Sequence, residues 1–205
     1  MSGTFPTENF AALDWASNVT VRQTESLNGK TQRSHTGGQY WSFTLQSPPL
    51  DRSDFMSIYA FIVKQKGAFD SFTIQPPVIS NTSGTISGNI STKNNSPNPA
   101  AVGDTTIVVN NTDDGSPATG SLKAGDIIKF ANHDKVYMLT SDATLDGSSD
   151  VTLNIFPGLV ETVANGQAVT YNDVPVKVHF VENKHSYSVG PDLLYSYEIE
   201  VREVI

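Results

Sequence analysis

Few residues in this 205-residue chain have the type and spacing that chemistry requires. The nearest approach to a metal motif is the acidic stretch Asp142-Ala-Thr-Leu-Asp146-Gly147-Ser-Ser-Asp150. A calcium loop of the EF-hand kind places oxygen ligands at its first, third and fifth positions, glycine at the sixth and a bidentate glutamate at the twelfth. Asp142, Thr144, Asp146 and Gly147 fit the earlier positions, but Leu153 stands at the twelfth. The strand-like pattern on both sides also removes the flanking helices. Asp142, Asp146 and Asp150 are therefore only a weak calcium candidate, and a turn with solvated carboxylates is the preferred reading.

The remaining reactive residue types are scattered. His35, His133, His179 and His185 form no pair on one helix face. No Gly-x-Ser-x-Gly elbow, dinucleotide-binding glycine fingerprint or phosphate-binding Gly-Lys-Ser/Thr loop occurs. No carboxylate pair stands apart from the general scatter of acids, so nothing is placed to activate a nucleophile or tune a general acid. With no cysteine there is no disulfide, thiolate metal site or cysteine nucleophile. The expectation is a protein without catalytic residues, cofactor or resident metal. Aromatic side chains are the other candidates for contact chemistry. Trp15, Tyr137 and Phe156 are candidate ligand contacts, for a glycan or a protein partner.

Elements that would position these residues follow from periodicity. Trp41, Phe43 and Leu45 alternate with Ser42 and Thr44 in a half-buried strand that Pro48-Pro49 ends. A helix is expected over about 51–66, where Phe55, Ile58, Tyr59 and Ile62 share a face that Phe61 widens. Asp51 or Ser53 would cap it, and Gly67 would close it in the left-handed region. Ser71–Gln75 returns as a strand, and a weaker strand is expected near Val19–Val21. Toward the C-terminus Val174, Val176, Val178 and Phe180 alternate with polar neighbours. Tyr195, Tyr197, Ile199 and Val201 do the same. Trp41, Phe43, Phe55, Ile58, Phe61, Ile62, Phe72, Tyr195, Tyr197 and Ile199 are thus expected in a core or an interface.

Charge separates the middle of the chain from its ends. The net charge is −8. Residues 80–173 hold four Lys/Arg and ten Asp/Glu, and only four of the nineteen aromatics, whereas both tryptophans lie before them. A shift of this kind marks a domain boundary. The expected organisation is a discontinuous β-sandwich scaffold of residues 1–79 plus 174–205, carrying an inserted small β-barrel or sandwich over 80–173. Its entry, Ile79 to Pro99, is polar and reads as a linker with room for a weak strand. Within the insert, strands are expected at Asp104–Val109, Ile127–Phe130, Lys135–Leu139, Val151–Phe156 and Gln167–Tyr171. The turn-rich Asn110–Gly120 separates the first two of them. The fold class is mainly β and antiparallel.

The same numbers exclude partners. An acidic chain lacks the basic face that nucleic acid requires. No run approaches the roughly 20 apolar residues of a membrane helix. The opening residues have no basic stretch followed by an apolar one, so no signal peptide is expected.

Three stretches carry a resemblance: Gly37 to Leu50 with its central Trp41 and Pro-Pro-Leu, the helix end Ala60 to Gly67, and the Phe-rich Phe69 to Pro77. Together they resemble the front half of distal tail and related minor tail-tip proteins of long-tailed bacteriophages. Leu122–Ile128, Val136-Tyr137 and Leu153–Leu159 are similar to β-domains inserted in such proteins, and Tyr197–Val204 to their final strand. The resemblance implies a structural virion protein of the tail tip, assembled in the host cytoplasm. It implies a homo-oligomeric ring joining the tail tube to hub or fibre proteins, with the insert outward. By analogy the ring has six copies, three being the alternative. A carbohydrate-binding module that contacts host-surface glycan through the insert is the competing reading.

Overall fold

The computed structural model describes residues 3–6, 10–93, 100–110 and 118–205. The end of the expected linker (94–99), most of the expected turn-rich stretch (111–117) and parts of the opening segment lie outside them. The chain divides into two compact units. One is built mainly from Glu8–Phe72 and Val178–Ile205, the other mainly from Thr73–Lys177.

The first unit is organised by strands β1 (Ala12–Glu25), β2 (Thr31–Gln46) and β14 (Tyr195–Glu203). They belong to a six-stranded sheet that also includes β3 (Phe72–Ile74), β12 (Val176–Phe180) and β13 (Tyr187–Val189). Its order is β1-β2-β14-β12-β3, with β13 pairing β14 off that path. The β1–β2, β2–β14, β12–β14 and β13–β14 ladders are antiparallel. In β14 the expected alternation is present: Tyr197, Ile199 and Val201 are buried, while Glu198, Glu200 and Arg202 are exposed.

The helix, α1, runs over Arg52–Lys64, slightly shorter than expected. Asp51 occupies the N-cap position with extended backbone, but its side chain makes no capping bond. Phe55, Ile58 and Ile62 are buried, with Tyr59 and Phe61 half-buried at the margins of the stripe. Phe55 stacks on Tyr195 at 4.9 Å and tilts against Tyr187 and Tyr197, so an aromatic cluster joins α1 to β13 and β14. Beyond the helix Phe61 meets Phe72 edge-on at 5.5 Å, and Phe72 meets Phe180 at 4.8 Å. Aromatic pairs of this kind add to simple area burial.

The second unit contains a closed barrel in the order β10-β5-β4-β11-β7-β8. Its strands are β4 (Ile90–Thr92), β5 (Thr106–Asn110), β7 (Ile127–Phe130), β8 (Val136–Leu139), β10 (Val151–Phe156) and β11 (Ala168–Thr170). Closure leaves the barrel no free edge. Short, β-branched strands fill the interior with Ile90, Ile107, Val109, Ile128, Phe130, Leu139, Leu153 and Ile155. A two-stranded sheet of β6 (Thr119–Leu122) and β9 (Ala143–Asp146) adds Leu122 and Leu145 to the same core. Neither β6 nor β9 follows from the sequence pattern. Thr119 and Gly120 correct the expectation of a turn extending to Gly120, because they pair with Asp146 and Leu145.

Candidate interaction surfaces

The longest feature of the first unit is a hairpin. Ser26 N–H donates to Lys30 O and Gly29 N–H to Ser26 O, with Gly29 at φ 76, so Asn28-Gly29 turns the chain. β1 and β2 then pair from Glu25↔Thr31 to Ala12↔Gln46, with an irregularity between Val19 and Val21. β14 meets β2 only between Ser42 and Gln46. The earlier part of β2 therefore pairs with β1 as a two-stranded ribbon. Val19, Val21 and Leu27 are exposed on it. At its base Trp15 stacks on Phe43 at 5.0 Å and lies 5.3 Å from Trp41. Trp41 and Phe43 are buried and Trp15 is half-buried, its Nε1 enclosed without a hydrogen-bond acceptor.

The three candidate ligand contacts fall in different units, Trp15 in the first and Tyr137 and Phe156 in the second. Trp15 belongs to the hairpin base. Phe156 is partly exposed at the end of β10. Tyr137 is fully buried and offers a surface ligand nothing to touch. Its hydroxyl accepts from Val160 N–H at 3.1 Å and lies 2.7 Å from His133 Nε2. Asn132 Oδ1 can only accept, so in the neutral ring the tyrosine hydroxyl donates to His133 Nε2. That leaves the histidine proton on Nδ1, which is 3.0 Å from Asn132 Oδ1. Burial holds the His133 pKa below its ordinary value. The network runs from buried Tyr137 through half-buried His133 to exposed Asn132.

The acidic stretch behaves as three separate carboxylates. Asp142 pairs with Lys123 at 2.7 Å and accepts from Ala124 N–H. Asp146 accepts from the Ser148 and Ser149 N–H groups at 2.9 Å each, closing the turn at Gly147. Asp150 pairs with Lys93 at 3.1 Å. Among the described residues no group of three or more His, Asp or Glu side chains is placed to hold a metal. His35 and His179 remain isolated from one another. His185 packs on Phe180 at 4.4 Å with its Nε2 buried and unpartnered, and burial lowers its pKa.

One polar site was missed by sequence reasoning. Asp126 is 4% exposed. Its carboxylate accepts from Ser83 N–H, Ser83 Oγ and Lys123 N–H at 2.8 Å each, and from the Thr82 hydroxyl. Burial opposes the charged form, but these bonds outweigh it and hold the pKa below the ordinary carboxylate value. The site fastens the entering segment to the turn before β7. The neighbouring backbones approach so closely that only glycine fits: a Cβ on Gly84 would fall 1.8 Å from Ser121 O. One on Gly120, at φ 110, would fall 2.4 Å from Thr85 O. No local pattern announces these contacts, because the partners are about 40 residues apart.

The described residues form a predominantly β chain with one helix and a closed barrel. In comparison with known proteins, residues 86–174 match the family model described as "Distal tail protein pb9, B domain". The match makes this region similar to a domain of a distal tail protein. Over 171 residues the chain is 23% identical to the distal tail protein pb9 of Escherichia phage T5, covering 83% of this chain and 78% of that protein. No helix among the described residues is long and apolar enough to cross a membrane.

Proposed function

We propose that the chain forms a homo-oligomeric ring at the tail tip, joining the tail tube to hub or fibre proteins. The observation that carries this reading is the β1–β2 ribbon. Among the described residues, its outer strand has a long edge whose N–H and C=O groups have no neighbouring strand in the sheet order. Such an edge pairs readily with another strand, and in a ring two different patches of each subunit meet. The ring-forming part is the scaffold of residues 1–79 plus 174–205, and residues 80–173 form a domain inserted in it. Six copies are expected from the family analogy, with three as the alternative, assembled in the host cytoplasm. The role is one of connection, without catalysis or cofactor.

Imaging of purified phage particles tests this. The chain should appear at the tube end as a closed ring, and particles built without it should lack an attached hub or fibre. Tails that assemble normally and contain none of the chain would refute it.

A second reading, glycan binding by the inserted domain, draws on a cleft of about 460 Å³ beside β11. Asn89, Thr170, Tyr171 and Asn172 line it, offering amide and hydroxyl groups next to an aromatic ring. Binding of host-surface polysaccharide by the full chain, lost in Asn172→Ala, would support that role. Silence across such polysaccharides would count against it.

A further inference from the structure

The first unit carries a knob and a hole of opposite charge. The knob is Phe69, which is 80% exposed just beyond α1. An exposed phenylalanine on a mobile loop would be unremarkable, but this one is held. Lys66 and Gly67 both adopt left-handed backbone, at φ 57 and 67. Ala68 N–H donates to Asn183 Oδ1 at 3.1 Å, and Asp70 N–H donates to Gln65 O at 3.1 Å. The Lys66 ammonium lies 5.6 Å from the centre of the Phe69 ring, and Val63, also exposed, precedes it on α1. Lys66 also lies 3.7 Å from Asp70 in an exposed pair, so with Lys64 the knob keeps a net positive charge beside a ring whose flanking backbone is held.

The hole lies at the β13–β14 turn. Pro49, Val189, Pro191 and Leu194 line a depression of about 310 Å³, and Asp192 adds a carboxylate to it. That space accommodates one phenyl ring. Leu193, 75% exposed and at φ 60, extends the apolar surface next to it.

We infer that Phe69 of one copy of this chain seats in the Pro49–Val189–Leu194 depression of the next copy, with Lys66 set against Asp192. The inference rests on the ring reading and specifies its contact. Shape and sign agree between the two patches. They differ from each other, so each copy presents one of each and the contact is heterologous, the type that propagates and closes into a ring. A preorganised aromatic anchor loses little conformational freedom on docking, which is the usual character of an interface hot spot.

Sedimentation velocity of the full chain, up to millimolar concentration, tests this. Phe69→Ser should weaken self-association about tenfold or more without changing the melting temperature. Lys66→Asp and Asp192→Lys should each weaken it, and the two together should restore it. The chain has no cysteine. A mixture of Lys66→Cys and Asp192→Cys proteins should therefore form a disulfide-linked pair under mild oxidation, which a Ser148→Cys protein should not form with either. Self-association that is unchanged by Phe69→Ser, with no cross-link, would overturn this contact and leave the ring reading standing. A chain that stays monomeric at every concentration and gives no cross-link would overturn both.

Discussion

Replacing Asp126 with alanine removes a carboxylate that is charged and almost wholly buried, with no basic side chain among its hydrogen-bond donors. Two of those donors are backbone N–H groups, of Ser83 and Lys123, and neither can turn away. The Thr82 and Ser83 hydroxyls can rotate toward other partners. A stranded buried donor costs about 1–3 kcal/mol, and hydrogen bonds to a charged acceptor lie at the upper end of the usual range. Asp126→Ala should therefore lose about 4 kcal/mol, two stranded donors at about 2 kcal/mol each, the middle of that range. Urea unfolding followed at the barrel gives the magnitude, and amide exchange at Ser83 and Lys123 shows whether these donors are the cause. The acid dependence supplies an independent check. The folded pKa lies below the ordinary 3.8. The contribution is thus complete above the ordinary value and is lost as pH falls through the lowered one, because the unfolded chain binds the proton first. Asp126→Asn should be destabilised at neutral pH and lose less further stability in acid than the parent. A loss under 1 kcal/mol for Asp126→Ala, with the Ser83 and Lys123 amides still protected, would refute the assignment.

Gly84→Ala and Gly120→Ala should each destabilise by roughly 3 kcal/mol or more, because the new methyl would meet backbone oxygen. Thermal melts should separate them from Gly125→Ala, where φ is 96 but nothing lies within 4 Å, and where only a backbone penalty of about 1 kcal/mol is expected. Tyr137→Phe leaves Val160 N–H and His133 Nε2 without their shared partner and should cost about 1–3 kcal/mol in urea unfolding. Burial lowers the folded pKa of both His133 and His185 below 6.5. Their contribution is complete above 6.5 and declines as pH falls toward the lowered values, since the unfolded imidazoles charge first. Melting temperature should drop between neutral pH and pH 5, with a shallower drop in His185→Phe. Millimolar calcium should leave the melting temperature unchanged, since Asp142, Asp146 and Asp150 each hold separate partners; a rise would show that a site assembles.

Much of this architecture is legible because burial imposes a period on the chain. Tyr197, Ile199 and Val201 alternate with charged residues, since one face of β14 is covered and the other is wet. Phe55, Ile58 and Ile62 mark α1 for the same reason. The strands β5, β7, β8 and β10 show as β-branched or apolar runs between turn signals. The outer half of the β1–β2 ribbon shows no such period, because both of its faces meet solvent and neither selects apolar residues. Asn28-Gly29 was the available signal for it, a turn suited to reversing a hairpin. Strands β6 and β9 were hidden because they carry few apolar residues, Leu122 in one and Ala143 and Leu145 in the other, and by Gly120, whose small size reflects a close backbone approach.

The amino-acid sequence alone was sufficient for the class of fold, the helix and the alternating strands. Those properties are local: each is written in the spacing of a few neighbouring residues. Barrel closure, the enclosure of Tyr137, the binding of Asp126 by Thr82 and Ser83, and the anchoring of Ala68, next to Phe69, by Asn183 were decided by tertiary structure. Each depends on residues far apart in the chain meeting at hydrogen-bond or van der Waals distance. Local periodicity carries no record of such meetings, because the energy that selects them arises only when the distant segments have already packed.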